Sequence, residues 1–307
     1  MRNDHLTHET ILGWVARINK HMICLSIGLP MRLKALKLRF LLPLLGFGIG
    51  ITAQASPEKF LAVIDPGHGG RDTGAVFKEN GTTLAEKNLT LLIARDLARE
   101  LIIRGQNVIL TRNDDREVLL SDRTAIANRV KANVFISIHL NSSSDKIKSG
   151  GVETFILNHT TDDTSRRLAD LENSVLKDSQ ANASGGSNVS LITKDLILDG
   201  TLKPSKELAC SVQARITTRG RDRGVKQALF YVLLGADMPS ILIEAGFMNS
   251  KQDRARILGT KSRLALAAQI ASAIDDYRHH KTPKHCQVLS EKLYKRTDEP
   301  QTPRKRI

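Results

Sequence analysis

"FLAVIDPGHGGRDTGA", residues 60–75, joins an apolar β-rich run to a turn in which His68 is flanked by glycines. The run reads as a buried strand, and the glycines strip away bulk so that a backbone or an ion can approach the imidazole. Taken alone, the turn fits two readings: ordinary punctuation with an incidental histidine, or a built approach to His68. The pattern that follows decides the fold. "NVILT" (107–111), "NVFISIHL" (133–140), "GVETFIL" (151–157), "LFYVLL" (229–234) and "SILIEAGF" (240–247) read as further strands. Between them, "EKNLTLLIARDLARELIIRG" places Leu89, Ile93, Leu97 and Leu101 on one helical face and stops at Gly105. A second helix is predicted through "DRTAIANRVKA" and a last one through "SRLALAAQIASAIDDYR". This alternation predicts an α/β fold: a twisted, mostly parallel sheet of about six strands with helices on both faces, in a single domain.

In such sheets, sites form at the carboxyl ends of the strands. His68 follows the first strand, His139 ends the third, Glu244 lies in the last, and Glu86 opens the first helix. Two histidines and a carboxylate converging from separate strand ends make a zinc-ligand set with a position left open, and a further glutamate nearby can take a proton from water. Each residue also has a plainer reading. Thr83-x-x-Glu86 has the spacing of a capping box, and His139 fits a satisfied core histidine. Glu244 resists such a reading, because a carboxylate in a run as apolar as "PSILIEAGF" is heavily penalised unless it meets a cation or a proton.

The chain has 307 residues and a net charge of +14, but the charge is concentrated at the ends. Residues 1–55 carry seven Lys/Arg against two Asp/Glu, and 280–307 carry eight against three. Aromatics are 4% of the chain, so a nucleic-acid surface of basic and stacking groups is not expected. "MRLKALKLRFLLPLLGFGIGITAQAS", starting at Met31, has the basic, apolar and small-residue zones of a secretory signal peptide, with cleavage expected after Ala55. The alternative, a membrane anchor, is disfavoured because the apolar run falls short of the ~20 residues that span a bilayer. The expected organisation is a leader over 1–55 with the start at Met31, a domain over 56–279, and a basic, disordered tail over 280–307. Secretion to the periplasm and no stable membrane span after cleavage follow from that reading. Cys210 and Cys286 could pair there, although no spacing requires it.

Together, "VIDPGHGG", the glutamate opening the next helix, the "FISIHLN" strand, "GVETFIL", "VKQALFYVL" and "ADMPSILIEAGF" resemble the zinc-dependent N-acetylmuramoyl-L-alanine amidases of the bacterial cell-division type. The resemblance implies that His68, Glu86 and His139 bind Zn2+ and that Glu244 is the catalytic glutamate. It also implies a peptidoglycan substrate, cleaved at the amide between muramic acid and the first L-alanine of the stem peptide. Asn141 is placed to orient substrate or His139. Arg71 and Arg123 suit the acidic groups of a stem peptide, with surface salt bridges as the equal alternative, and Asn128 is expected to pack its helix. A zinc peptidase and a non-catalytic wall-binding protein are the rival readings.

Residues 159–204 exceed a minimal amidase domain and form an expected regulatory insertion. At 100° per residue, Leu168, Leu171, Val175 and Leu176 make one stripe, with Glu172 inside it. Its partner is an arginine, solvent or the metal. In regulated members of the family a glutamate from an "EN" pair contacts the zinc, and Glu172-Asn173 matches that pair. The resemblance thus implies an autoinhibited enzyme opened by a LytM-type activator that lacks its own peptidase metal site. Leu196 and Ile197 are the expected handle, by helix-in-groove docking. With no wall-binding repeat in view, placement at the septum is expected to come from that partner.

Overall fold

In the computed structural model, residues 60–79, 81–143, 150–175, 188–216 and 221–281 are described, with backbone alone for Val175 and 188–199. The chain runs through β1 (Leu61–Pro66), a hairpin of β2 (Val76–Glu79) and β3 (Thr82–Ala85), α1 (Glu86–Ile103), β4 (Asn107–Leu110) and α2 (Leu120–Arg129). It continues through β5 (Val134–Asn141), β6 (Val152–Leu157), α3 (Asp163–Glu172), α4 (Asn188–Ile216), β7 (Asp222–Ala228), β8 (Ser240–Phe247), α5 (Lys251–Leu258) and α6 (Thr260–Arg278). Six strands form one sheet in the order β4-β1-β5-β8-β6-β7. The first four are mutually parallel, β6 runs antiparallel to β8, and β7 is parallel to β6. The α/β class, the mostly parallel sheet and the six strands are as the sequence predicts.

Alternation along the strands sorts the side chains into two layers. Ala62, Ile64, Ile136, Ile138, Ile241 and Ile243 pack with Leu89, Ile93, Leu97 and Leu101 of α1, the second half of α4 and the apolar face of α6. Val63, Phe135, Phe155 and Leu242 point the other way, against Ala127 of α2, Leu168 and Ala169 of α3, Phe230 and Val232. Each fully buried aliphatic or Phe side chain contributes roughly 1.5–3 kcal/mol, so this two-sided core fixes the register firmly. By the same parity, His139, Glu244 and Glu153 face the α2/α3 layer. Central strands β5 and β8 are buried over all eight of their residues, and these carry His139 and Glu244.

Three sequence expectations change. "LFYVLL" is a 3-10 turn over Tyr231–Leu233, and the strand is the preceding "DRGVKQA". Phe230, Val232 and Leu233 are buried while Leu229 and Tyr231 are exposed, so the run imitates a strand's alternation. Its backbone is spent on short-range bonds, Leu233 N to Phe230 O and Leu234 N to Tyr231 O. Strand β7, at the sheet edge, is polar and only half-buried, the usual protection of an exposed edge. The capping box is absent as well: Ala85 caps α1, and Thr83 pairs with Lys78 in the β2–β3 hairpin. Finally, α3 buries Ser165, Leu168 and Ala169, whereas Leu171 is 65% exposed. The inward face is therefore 165, 168, 169 and 172, spacing i, i+3, i+4, i+7, which still carries Glu172.

Helix α4 crosses the expected end of the insertion at 204 and continues to Ile216, burying Leu208, Ala209 and Val212 in the core. The expected leader with its signal peptide, the tail beyond 281, Cys286 and Leu176 lie outside the described residues, as do the side chains of Leu196 and Ile197 in α4. Cys210 is buried in α4. Among the described residues, no helix is long and apolar enough to cross a membrane.

Candidate active site

The loop after β1 is held by two buried arginines. Arg112 donates to the carbonyls of Pro66 (3.0 Å) and Gly67 (2.6 Å), and Arg123 to those of Pro66 (2.9 Å) and His68 (2.9 Å). Arg123 also pairs with the buried Asp65 carboxylate at 2.8 Å. Burial raises the proton affinity of Asp65, but Arg123 and the hydroxyls of Thr111 and Ser137 outweigh it and keep the group ionised below its usual range. The expected stem-peptide role for Arg123 is thereby corrected: the guanidinium is internal and shapes the loop. It supports His68 in a left-handed conformation, φ 61°, an uncommon state for a residue with a side chain.

Held this way, His68 donates from Nδ1 to Asp72 Oδ2 at 2.8 Å, which fixes the tautomer and leaves the Nε2 lone pair facing inward. That Nε2 lies 3.0 Å from Glu86 Oε1 and 3.4 Å from Glu172 Oε2. From β5, His139 brings Nδ1 to 3.3 Å from Glu86 Oε1 and 3.1 Å from Glu172 Oε2. Glu86, at the first turn of α1, is oriented by two backbone amides: Leu140 N to Oε1 and Ala75 N to Oε2, both 2.9 Å. Two glycines make room for this approach. A Cβ on Gly67 would stand 2.4 Å from His139 Nε2, and one on Gly74 would meet the His68 ring at 2.5 Å and Glu86 at 2.7 Å.

One ligand atom from each of His68, Glu86, His139 and Glu172 falls within a sphere where no two are more than 4.8 Å apart, and the group could hold a metal ion. The chemistry fits zinc, since imidazole nitrogens and carboxylate oxygens in a set of four are its usual donors. The geometry fits too. His68 Nε2 and His139 Nδ1 are buried within ion-pair distance of carboxylates yet lack the angles of a hydrogen bond, so they aim at a shared centre rather than at each other. Electrostatics agree. Burial disfavours charge on both rings, but the facing carboxylates prevail and raise each to about 10, through Glu86 and Asp72 for His68 and Glu172 and Glu86 for His139. Such a site attracts positive charge.

Beside the cluster, Glu244 is fully buried, and neither of its carboxylate oxygens has a hydrogen-bond partner among the described residues. Burial, then the charges of Glu172, Glu86 and Glu153, raise its proton affinity well above the usual carboxylate range. Asn141 donates to Glu153 at 2.6 Å. Arg71 is 91% exposed at its side chain and pairs with Glu117 at 2.9 Å, the salt-bridge alternative. Asn128 packs α2 by donating to Gly235 O at 2.7 Å and accepting from Asp237 N at 3.1 Å. Sequence reading missed Asp72, Arg112 and Glu153. The last had a signal: "VETFIL" sets a carboxylate in an apolar strand just as "SILIEAGF" does.

The family model described as Amidase_3, N-acetylmuramoyl-L-alanine amidase, matches residues 62–276. The chain is 31% identical over 260 residues to N-acetylmuramoyl-L-alanine amidase AmiC of Neisseria meningitidis, covering 77% of this chain and 61% of that relative's length. The crystal structure of an N-acetylmuramoyl-L-alanine amidase from Clostridium difficile 630 superposes with a TM-score of 0.55 at 31% identity, over 72% of this chain and 97% of the other. The CwlD amidase from Clostridioides difficile, solved in complex with the GerS lipoprotein, gives a TM-score of 0.54 at 25% identity, over 72% of this chain and 99% of the other. All four donors of the cluster fall inside the matched span, and with sheet and sequence in agreement the chain belongs to the N-acetylmuramoyl-L-alanine amidase family of hydrolases.

Proposed function

We propose that this chain is a zinc-dependent peptidoglycan amidase that cleaves the amide between N-acetylmuramic acid and the L-alanine of the stem peptide, and that Glu172 holds it inactive. The observation that carries the reading is the convergence of His68, Glu86, His139 and Glu172 on one centre. In it, His68 Nε2, His139 Nδ1 and Glu86 would hold the metal. When bound, zinc supplies a Lewis acid that polarises the scissile carbonyl and lowers the pKa of water. The chain's own groups do the rest. Asp72 keeps the His68 tautomer, and the amides of Ala75 and Leu140 keep the Glu86 carboxylate in place. Glu244 takes a proton from the attacking water and delivers it to the leaving nitrogen. Its raised proton affinity suits it to hold that proton in between.

Glu172 Oε2, close to both histidines, takes the place of substrate or water. Opening requires α3 to withdraw, which frees Leu168 and Ala169 from the core and breaks two bonds made by Asn173, to Leu229 O and from Tyr231 N, both 2.8 Å. A partner protein draws it away. The proposed partner is a LytM-type activator that grips the start of α4 at Leu196 and Ile197, the site of action is the periplasm, and the process served is daughter-cell separation. A related amidase solved in complex with a lipoprotein supports partner control.

The test is digestion of purified peptidoglycan by the zinc-loaded full chain, wild type beside Glu172→Ala, with the products weighed. Free stem peptides and bare glycan strands from the variant, with little from wild type, support amidase and plug together. Equal activity removes Glu172 as the lock, cleavage inside the stem peptide makes the chain a peptidase, and no cleavage by either leaves a wall-binding protein.

A further inference from the structure

We infer that Glu153 is a positioning residue for Glu244, an assignment that rests on the amidase reading above. The register sets His139 opposite Glu244 across β5–β8 and Glu153 opposite Glu244 across β8–β6. Directly opposed residues share a sheet face with Cβ atoms roughly 4.5–5.5 Å apart, so the three form a row with Glu244 in the middle. Because β6 runs antiparallel to β8, its first residues lie at the carboxyl end of β8.

Glu153 is 1% exposed, where an unpaired carboxylate is strongly disfavoured, yet it is heavily provided for. Its Oε1 accepts from Asn141 Nδ2 at 2.6 Å, and its Oε2 accepts from Arg223 Nε at 3.0 Å and from Lys226 Nζ. The two cations come from edge strand β7 and are steadied by rings: Arg223 lies 4.8 Å from the centroid of Phe247 and Lys226 5.8 Å from that of Phe155. Asn141 comes from β5. Since β8 runs between β5 and β6, the Asn141–Glu153 bond is a strap across the strand that carries Glu244.

Glu244 has no hydrogen bond of its own among the described residues, so its direction is set by its walls. On one side stands His139; on the other stands a carboxylate clamped by Asn141, Arg223 and Lys226. Like charges directly opposed across strands repel. Glu153, strapped to Asn141 across β8, therefore closes the β6 side of Glu244 and leaves that carboxyl facing the His139 side. An apolar residue at 153 would take this acceptor from Asn141, Arg223 and Lys226 and loosen the wall beside Glu244.

The test measures kcat and KM on a soluble N-acetylmuramoyl-peptide in the full-length, zinc-loaded Glu172→Ala background, with zinc content and melting temperature read beside them. Glu153→Gln is expected to lower kcat tenfold to a hundredfold with KM and zinc content within twofold of the background. Combining it with Glu244→Asp is expected to cost no more than about twofold beyond Glu244→Asp alone, because both act through one carboxylate. Unchanged kcat, a fall that tracks lost zinc, or losses that multiply in the double variant overturns the assignment. Should Glu153→Gln fail to fold, Asn141→Ala carries the same test by cutting the strap: a kcat lowered threefold to tenfold at constant KM and zinc supports it, and an unchanged kcat refutes it. A background that cleaves no amide overturns the amidase reading itself, and this inference with it.

Discussion

Replacing Asn173 with alanine separates the plug from the chemistry, because its side chain bonds to Leu229 and Tyr231 rather than to a metal-cluster side chain. Its amide donates to Leu229 O and its carbonyl accepts from Tyr231 N, both at 2.8 Å, so one side chain pins the end of α3 to the turn before Gly235. A neutral hydrogen bond contributes about 0.5–1.5 kcal/mol net, and these two are open to competing water. Their joint loss is then about 1–2 kcal/mol, which multiplies a minor open population roughly 5-fold to 30-fold at 1.4 kcal/mol per decade. The assay is the activator-free rate of peptidoglycan solubilisation by the zinc-loaded full chain, compared with wild type and Glu172→Ala. Asn173→Ala is expected to raise the basal rate by that factor and to remain below Glu172→Ala. If Glu172→Ala is active while Asn173→Ala stays at the wild-type rate, the plug is not latched at Asn173 and the energetics of opening are misread.

Further outcomes follow from the site. Gly67→Ala drives a methyl to 2.4 Å from His139 Nε2, so zinc affinity by competitive chelation should fall at least tenfold. Asp72→Asn removes the charged acceptor of His68 Nδ1 at 2.8 Å, and the same titration should show a loss of about 10–100-fold. In chelator-treated protein, both histidines are raised from 6.5 to about 10, so their contribution to stability is complete below pH 6.5 and is lost as pH rises through about 10. Melting temperatures across that window should therefore fall more steeply for wild type than for Glu172→Gln, which removes one of the charges responsible, and parallel curves would contradict the assignment.

Much of the site was legible because its residues violate their surroundings. A histidine among glycines and carboxylates in apolar strands each demand a partner, and the rule of strand ends gathers them at one place. Less legible was whatever depended on partners distant in sequence. Glu86 reads as a cap until Ala75 and Leu140 are seen to hold its carboxylate. Arg123 reads as a surface group until Asp65 and the His68 loop close around it. In the fold, helices with a continuous apolar stripe and fully buried strands were plain. Strand β7 was not, because an edge strand keeps polar residues, and the neighbouring apolar run drew the assignment one segment too far along the chain.

The most direct test of the central claim is an anomalous-difference map at the zinc edge from crystals of the wild-type chain. A single strong peak within about 2.0–2.2 Å of His68 Nε2, His139 Nδ1, a Glu86 oxygen and a Glu172 oxygen is the predicted result. A zinc bound elsewhere, or one in this site with Glu172 turned away in the absence of any partner, would contradict it.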